Sequence, residues 1–193
     1  MMNPEKLQEW ARRVHKNACA HGFHDEKKSD AHWLCMVMTE IAEAVEADRK
    51  HRRANSDEMK ELFRIADKGK LQVTERWYRD FFPIHFDEYV KGSIEEEFAD
   101  ICIRIMDFAY EKYGEDMKWW KWERNGELHE STFTEKAYTL LVWMTDATDT
   151  DTLSLLISFV YDWAESLSID LDWFIEMKMR YNESRPVKHG KAY

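Results

Sequence analysis

The run AHWLCMVMTEIAEAVEADR, residues 31–49, decides the fold class. Projected at about 100° per residue, it places Glu40 and Glu43 on one helical face with Trp33, Met36, Val37, Ala44 and Ala47. The opposite face carries Leu34, Met38, Ile41, Ala42 and Val45. A helix that is apolar on both sides is built for burial. Carboxylates on such a helix are costly unless a cation or hydrogen-bond donors compensate them.

A second run, EEEFADICIRIMDFA at 95–109, repeats the pattern. Glu96, Glu97, Asp100, Arg104 and Asp107 share one narrow strip, and the rest of the circumference is apolar. If the two strips face each other, Glu40, Glu43, Glu97, Asp100 and in addition Asp107 converge. Clustered carboxylates repel and raise one another's pKa, and hard oxygen ligands favour Mg²⁺, with Mn²⁺ as a substitute. Spacing alone leaves a second reading open: an ordinary solvated face with an Asp100–Arg104 salt bridge at i,i+4.

Outward from these runs the chain reads as further helices joined by loops and by a charged and an aromatic stretch. Asn3-Pro4 starts a helix to about residue 20, ended by Gly22. A charged loop over 24–30 leads to Ser29 or Asp30 as the cap of the first carboxylate helix. Residues 50–70 are charged and partly exposed, and an aromatic block follows with Trp77, Tyr78, Phe81, Phe82, Phe86 and Tyr89. Gly92-Ser93 opens the second carboxylate helix, Ser93 as cap and Glu96 in the reciprocal position, and it runs to about Tyr113. A loop over 114–131 holds Trp119, Trp120, Trp122 and Gly126. Further helices run from about Thr134 to Met144, from Asp149 or Asp151 to about Leu167, and from Asp170 to about Tyr181, with Pro186 closing the helical part.

Composition supports this. The 193 residues include only six glycines and three prolines; average usage would be about 12% for the two together. A turn-rich β-fold or a glycine-loop nucleotide fold is therefore disfavoured. Nine Trp, eight Tyr and ten Phe argue against disorder. No apolar run reaches the ~18 residues of a membrane span, and the N-terminus has no signal-type stretch, so a cytoplasmic protein with no membrane partner is expected. A net charge of −10 disfavours binding to nucleic-acid polymers. Cys19, Cys35 and Cys102 form no framework and read as reduced and mostly buried.

The C-terminal end runs against the acidic average. Residues 178–193 hold Lys178, Arg180, Arg185, Lys188 and Lys191 against Glu183 alone. On a continued helix Lys178, Tyr181, Asn182 and Arg185 share a face, a set suited to phosphate oxygens. The alternative is a solvated tail.

Together these pieces resemble the all-α NTP pyrophosphatase superfamily, the MazG-like proteins and the dimeric dUTPases. The carriers are Glu40-Ile-Ala-Glu43 within MTEIAEAVEADR, Glu97-Phe-Ala-Asp100 within EEEFADICIRIMDFA, the tail KMRYNESRPVKHGKAY, and HGFHDEK before the first motif. The resemblance implies a single all-α domain over 1–193, with a four-helix-bundle core and insertions at about 50–91 and 112–156. It implies Mg²⁺-dependent hydrolysis of a nucleoside triphosphate to monophosphate and pyrophosphate, of the house-cleaning type. Glu40, Glu43, Glu97 and Asp100 would then be metal ligands and catalytic residues, one glutamate orienting or deprotonating the attacking water. Asp107 would be an outer ligand or a sugar contact, and Lys178, Asn182 and Arg185, with Lys188 and Lys191, would hold phosphates. The assembly would be a homodimer or a dimer of dimers.

The chain departs from that family where fifty-three residues separate Glu43 from Glu97. The aromatic residues in or beside the insertions would stack on a base or cover the site, or simply pack. A di-iron bundle needs Glu-x-x-His pairs, which are missing. His24-Asp25 reads as a surface turn rather than a metal phosphohydrolase motif. The non-enzyme alternative is a helical bundle serving as an interaction or regulatory protein.

Overall fold

A computed structural model of the chain describes residues 2–68, 75–122 and 131–187. Among the described residues it is all-helical, with nine α-helices and no strand. They are α1 (Pro4–Ala20), α2 (Asp30–Arg49), α3 (Ser56–Lys68), α4 (Glu75–Asp80), α5 (Phe82–Tyr89), α6 (Ile94–Tyr113), α7 (Phe133–Met144), α8 (Thr150–Ser166) and α9 (Leu171–Ser184). None is long and apolar enough to cross a membrane.

Most starts are set by side chains that accept the otherwise unpaired first N–H groups. Asn3 Oδ1 accepts from Glu5 and Lys6, at 3.0 and 3.2 Å. Ser29 caps α2, Asp149 caps α8 and Asp170 caps α9. Thr132 and Glu135 form a reciprocal box on α7. At α6 the expected box is shifted by one residue. Ser93 Oγ accepts from Glu96 N–H, but the Glu96 carboxylate reaches back to the N–H of Gly92. Gly92 has φ +71°, a conformation that penalises any side chain.

The centre is α6, which packs on α1, α2, α8 and α9. Ile101, Cys102, Ile105, Met106 and Ala109 are fully buried on it, as the continuous apolar circumference requires. Helix α2 is held between α6 and α7. The stretch at 50–91 folds into α3–α5, and the aromatic block mostly packs. Phe82 and Phe86 are fully buried, Phe63 and Trp77 lie against them, and Phe86 stacks on Tyr181 at 4.4 Å. Phe81 stays exposed. The stretch at 112–156 takes in α7 and the first turns of α8; Gly126 lies outside the described residues.

Two expectations need correction. Only Cys102 of the three free cysteines is buried; Cys19 and Cys35 are exposed. His24 does lie in the turn that follows α1, but its side chain is buried rather than turned to solvent. Its ring stacks on Trp33 at 4.6 Å and hydrogen-bonds the buried Asp107, because the turn at Gly22 directs it inward.

Candidate metal and phosphate site

Helices α2 and α6 meet along the two carboxylate strips. Glu40 of α2 and Glu97 and Asp100 of α6 each bring an oxygen within 4.8 Å of the others. Glu40 and Glu97 are buried and Asp100 nearly so. The fourth expected ligand, Glu43, lies one turn along α2, lines the same cavity and stays exposed.

Burial and crowding dominate the electrostatics. Burial pushes Glu97 up to about 9, and the charges of Asp100, Glu96 and Glu43 push the same way. Glu40 is pushed up to about 7 by burial and by Asp100, against the pull of Arg104. Glu97 Oε2 is buried with no hydrogen-bond partner.

Two cations answer part of this charge. Arg104 Nε donates to Glu40 Oε1 at 3.0 Å, so it pairs across to α2 rather than with Asp100 on its own helix. From α9, Lys178 lies buried with its ammonium on Glu96 and 2.6 Å from Asp100 Oδ2. Burial disfavours its charge, but the two carboxylates outweigh this and raise its pKa.

Around these groups lies a cavity of about 330 Å³, within the range of small-molecule sites. Asn182 and Arg185 line it from the end of α9, on the face that Lys178 begins. Asn182 Oδ1 is a second buried acceptor without a partner. The Arg185 guanidinium sits 5.5 Å from the Tyr181 ring. Asp107 also lines the cavity but stands apart from the three-carboxylate group, hydrogen-bonded to His15 and His24. Lys188 and Lys191 lie outside the described residues.

The sequence reading missed several lining groups. Lys91, just before Gly92, is held by Asp87 at 3.2 Å and by the Tyr181 hydroxyl at 3.3 Å. Arg13 of α1 pairs with Glu176 and Glu183. In the sequence Glu96 falls on the acidic strip and reads as a capping residue, and it is not counted among the converging carboxylates, yet it lines the cavity. Phe23 is the aromatic side chain of the cavity wall. The aromatic block at 77–89 and Trp119, Trp120 and Trp122 are not among the wall residues.

The donor set fits a hard dication. Among the described residues, Arg104 and Lys178 are the cations paired with Glu40, Glu96, Glu97 and Asp100, and an unpartnered buried oxygen belongs to the cluster. No family model matches the chain, and no curated protein or solved structure matches it.

Proposed function

We propose that the chain is a Mg²⁺-dependent nucleoside triphosphate pyrophosphohydrolase, with Glu40, Glu97 and Asp100 as the residues that hold the ion. One observation carries the reading: three converging carboxylates, under-compensated and with an unpartnered Glu97 oxygen, open into a cavity that also presents lysine, arginine and asparagine. When bound, the metal supplies charge neutralisation at the phosphates and a water of lowered pKa. The order of motifs, Glu40-x-x-Glu43 then Glu97-x-x-Asp100 then a basic end, supports the same superfamily, whose four-helix core would correspond to α1, α2, α6 and α9.

In this reading Glu43 orients the attacking water from the cavity wall. Lys91, Asn182 and Arg185 hold phosphate oxygens, and Arg104 keeps Glu40 ionised and fixed in place. Phe23 offers a face on which a base can stack. The working assembly is a homodimer or a dimer of dimers. Tyr138 and Val142, exposed four residues apart on α7, are apolar side chains that such a contact would cover.

A second reading has its own observation. Lys178 and Arg104 neutralise part of the acidic cluster from within, as they would in a purely structural polar network. In that case the chain is a non-catalytic bundle that binds a partner.

One experiment separates the two. The protein is incubated with Mg²⁺ and a panel of canonical and modified NTPs and dNTPs, beside a Glu40→Gln control. Formation of monophosphate and pyrophosphate above that control is expected. No such product, together with no thermal stabilisation by Mg²⁺ and a non-hydrolysable NTP, sinks the enzyme reading.

A further inference from the structure

About two turns beyond Asp100 on α6, Asp107 organises a different set of side chains. It is buried, and its carboxylate is the shared partner of two imidazoles. A carboxylate offers acceptors and an imidazole N–H offers a donor. His15 Nδ1–H and His24 Nε2–H, each 3.0 Å from Asp107 Oδ1, must therefore be the donors. That leaves His15 Nε2 and His24 Nδ1 as the nitrogens facing away from Asp107.

His15 Nε2 faces the thiol of Cys19, a weak donor, and both nitrogens face the carboxylate of Glu111, which only accepts. His15 Nε2 lies 3.4 Å from Cys19 Sγ and 3.6 Å from Glu111 Oε2. His24 Nδ1 lies 3.4 Å from the same Glu111 oxygen. Two imidazole nitrogens and a carboxylate oxygen thus converge beside a thiol, a set of groups that can ligate one cation. Zinc bonds of about 2.0–2.1 Å to nitrogen, 2.0–2.2 Å to oxygen and 2.3 Å to sulfur imply tetrahedral edges of about 3.3–3.6 Å, and the three separations fall at those values. The ligand atoms of His15, Cys19 and His24 all lie within 4.8 Å of one another.

We propose that His15, Cys19, His24 and Glu111 form a second metal site for a borderline-soft divalent ion such as zinc, with Asp107 orienting both imidazoles. A carboxylate on the far nitrogen of each ligating histidine fixes its tautomer and raises its basicity. One thiolate and two imidazoles select against magnesium, so this site does not compete for the ion of the carboxylate cluster.

The fold has placed the groups for this. His15 and Cys19 are at i,i+4 on α1, and Asp107 and Glu111 are at i,i+4 on α6. His24 arrives through the turn at Gly22, where φ is +77° and an added Cβ would stand 2.8 Å from Asp25 Oδ2. A bound ion would therefore tie the loop after Gly22 to two helices. The inference stands on these residues alone and survives failure of the pyrophosphohydrolase reading.

The test is a metal titration of chelator-stripped protein, with Zn²⁺ against a chromophoric competitor and with Co²⁺ followed by its absorption. One equivalent of zinc per chain is expected at sub-micromolar affinity, and cobalt should show tetrahedral bands with a thiolate charge-transfer band. Cys19→Ser, at an exposed position, should abolish the charge-transfer band and weaken zinc binding at least about tenfold. Asp107→Asn should weaken it by about 10–100-fold while keeping the band. Cys35→Ser and Glu97→Gln should change neither. Absence of the band in the unmodified chain overturns the proposal, as does zinc binding that Cys19→Ser leaves intact or that Glu97→Gln removes.

Discussion

Glu97 and Asp107 sit on one acidic strip of one helix, about three turns apart, and burial acts on both in the same direction. Glu97 faces Asp100, Glu96 and Glu43, so its pKa is driven up to about 9 and one oxygen goes unpaired. Asp107 faces two imidazole N–H donors and is held ionised below its usual range. Burial alone therefore does not set the state of a carboxylate; the charges and donors around it, from its own helix and from others, decide whether burial wins. The first region is short of positive charge and open to a cavity. The second keeps its acid satisfied and turns the spare imidazole nitrogens toward a thiol and Glu111.

The largest expected effect contrasts the two acids directly. Glu97→Gln should lower pyrophosphate release at least about 100-fold, whereas Asp107→Asn should leave it within about tenfold of the parent protein. Equal losses in steady-state rates would break the division, because both acids would then serve one reaction centre.

Stability against pH comes next and should have opposite signs. Without metal, Glu97 binds its proton in the folded state up to about pH 9 and in the unfolded state only to about 4.5. The folded state thus holds the extra proton across that window, and the contribution falls as pH rises from 4.5 to 9. Glu97→Gln should flatten that part of the profile. At pH 8 it should stabilise the metal-free protein by on the order of 2 kcal/mol, about 4–8 °C in Tm. Asp107 does the reverse: its lowered pKa supplies stability above the unfolded carboxyl range, and this is lost as pH falls through the folded value. Melting curves of the parent and the two variants from pH 3 to 9 test both signs. A Glu97→Gln profile parallel to the parent's would show that Glu97 is not under strain.

The smallest effect concerns how far the first region extends along α9. Arg185→Ala should raise KM about tenfold, the loss of one charged contact, while moving Tm by no more than about 2 °C. Wholesale unfolding in a circular-dichroism melt would make Arg185 structural and end the region at Asn182.

Much of this was legible in the chain. Asn3, Ser29, Ser93, Asp149 and Asp170 mark helix starts because capping is a contact between residues two or three apart. Glu40, Glu97 and Asp100 stood out because carboxylates interrupt faces that are otherwise apolar. His24 was misread because its loop is polar in composition, and nothing local says that a turn at Gly22 points the ring inward. For Arg104 the chain left an i,i+4 pairing with Asp100 open, and the structure pairs it instead with Glu40, 64 residues away.

The sequence by itself determined α1, α2, α6, α7, α8 and α9, most of their caps and the positions of the acids along them, since periodicity and capping act over one or two turns. Only the tertiary structure decided which acids are starved of partners and which are satisfied. Lys178 reaches Glu96 across 82 residues of chain, and His24 reaches Asp107 across 83. Those pairings depend on which helices α6 buries against itself, and in a low-dielectric interior the neighbours brought together that way set the charge state of each group.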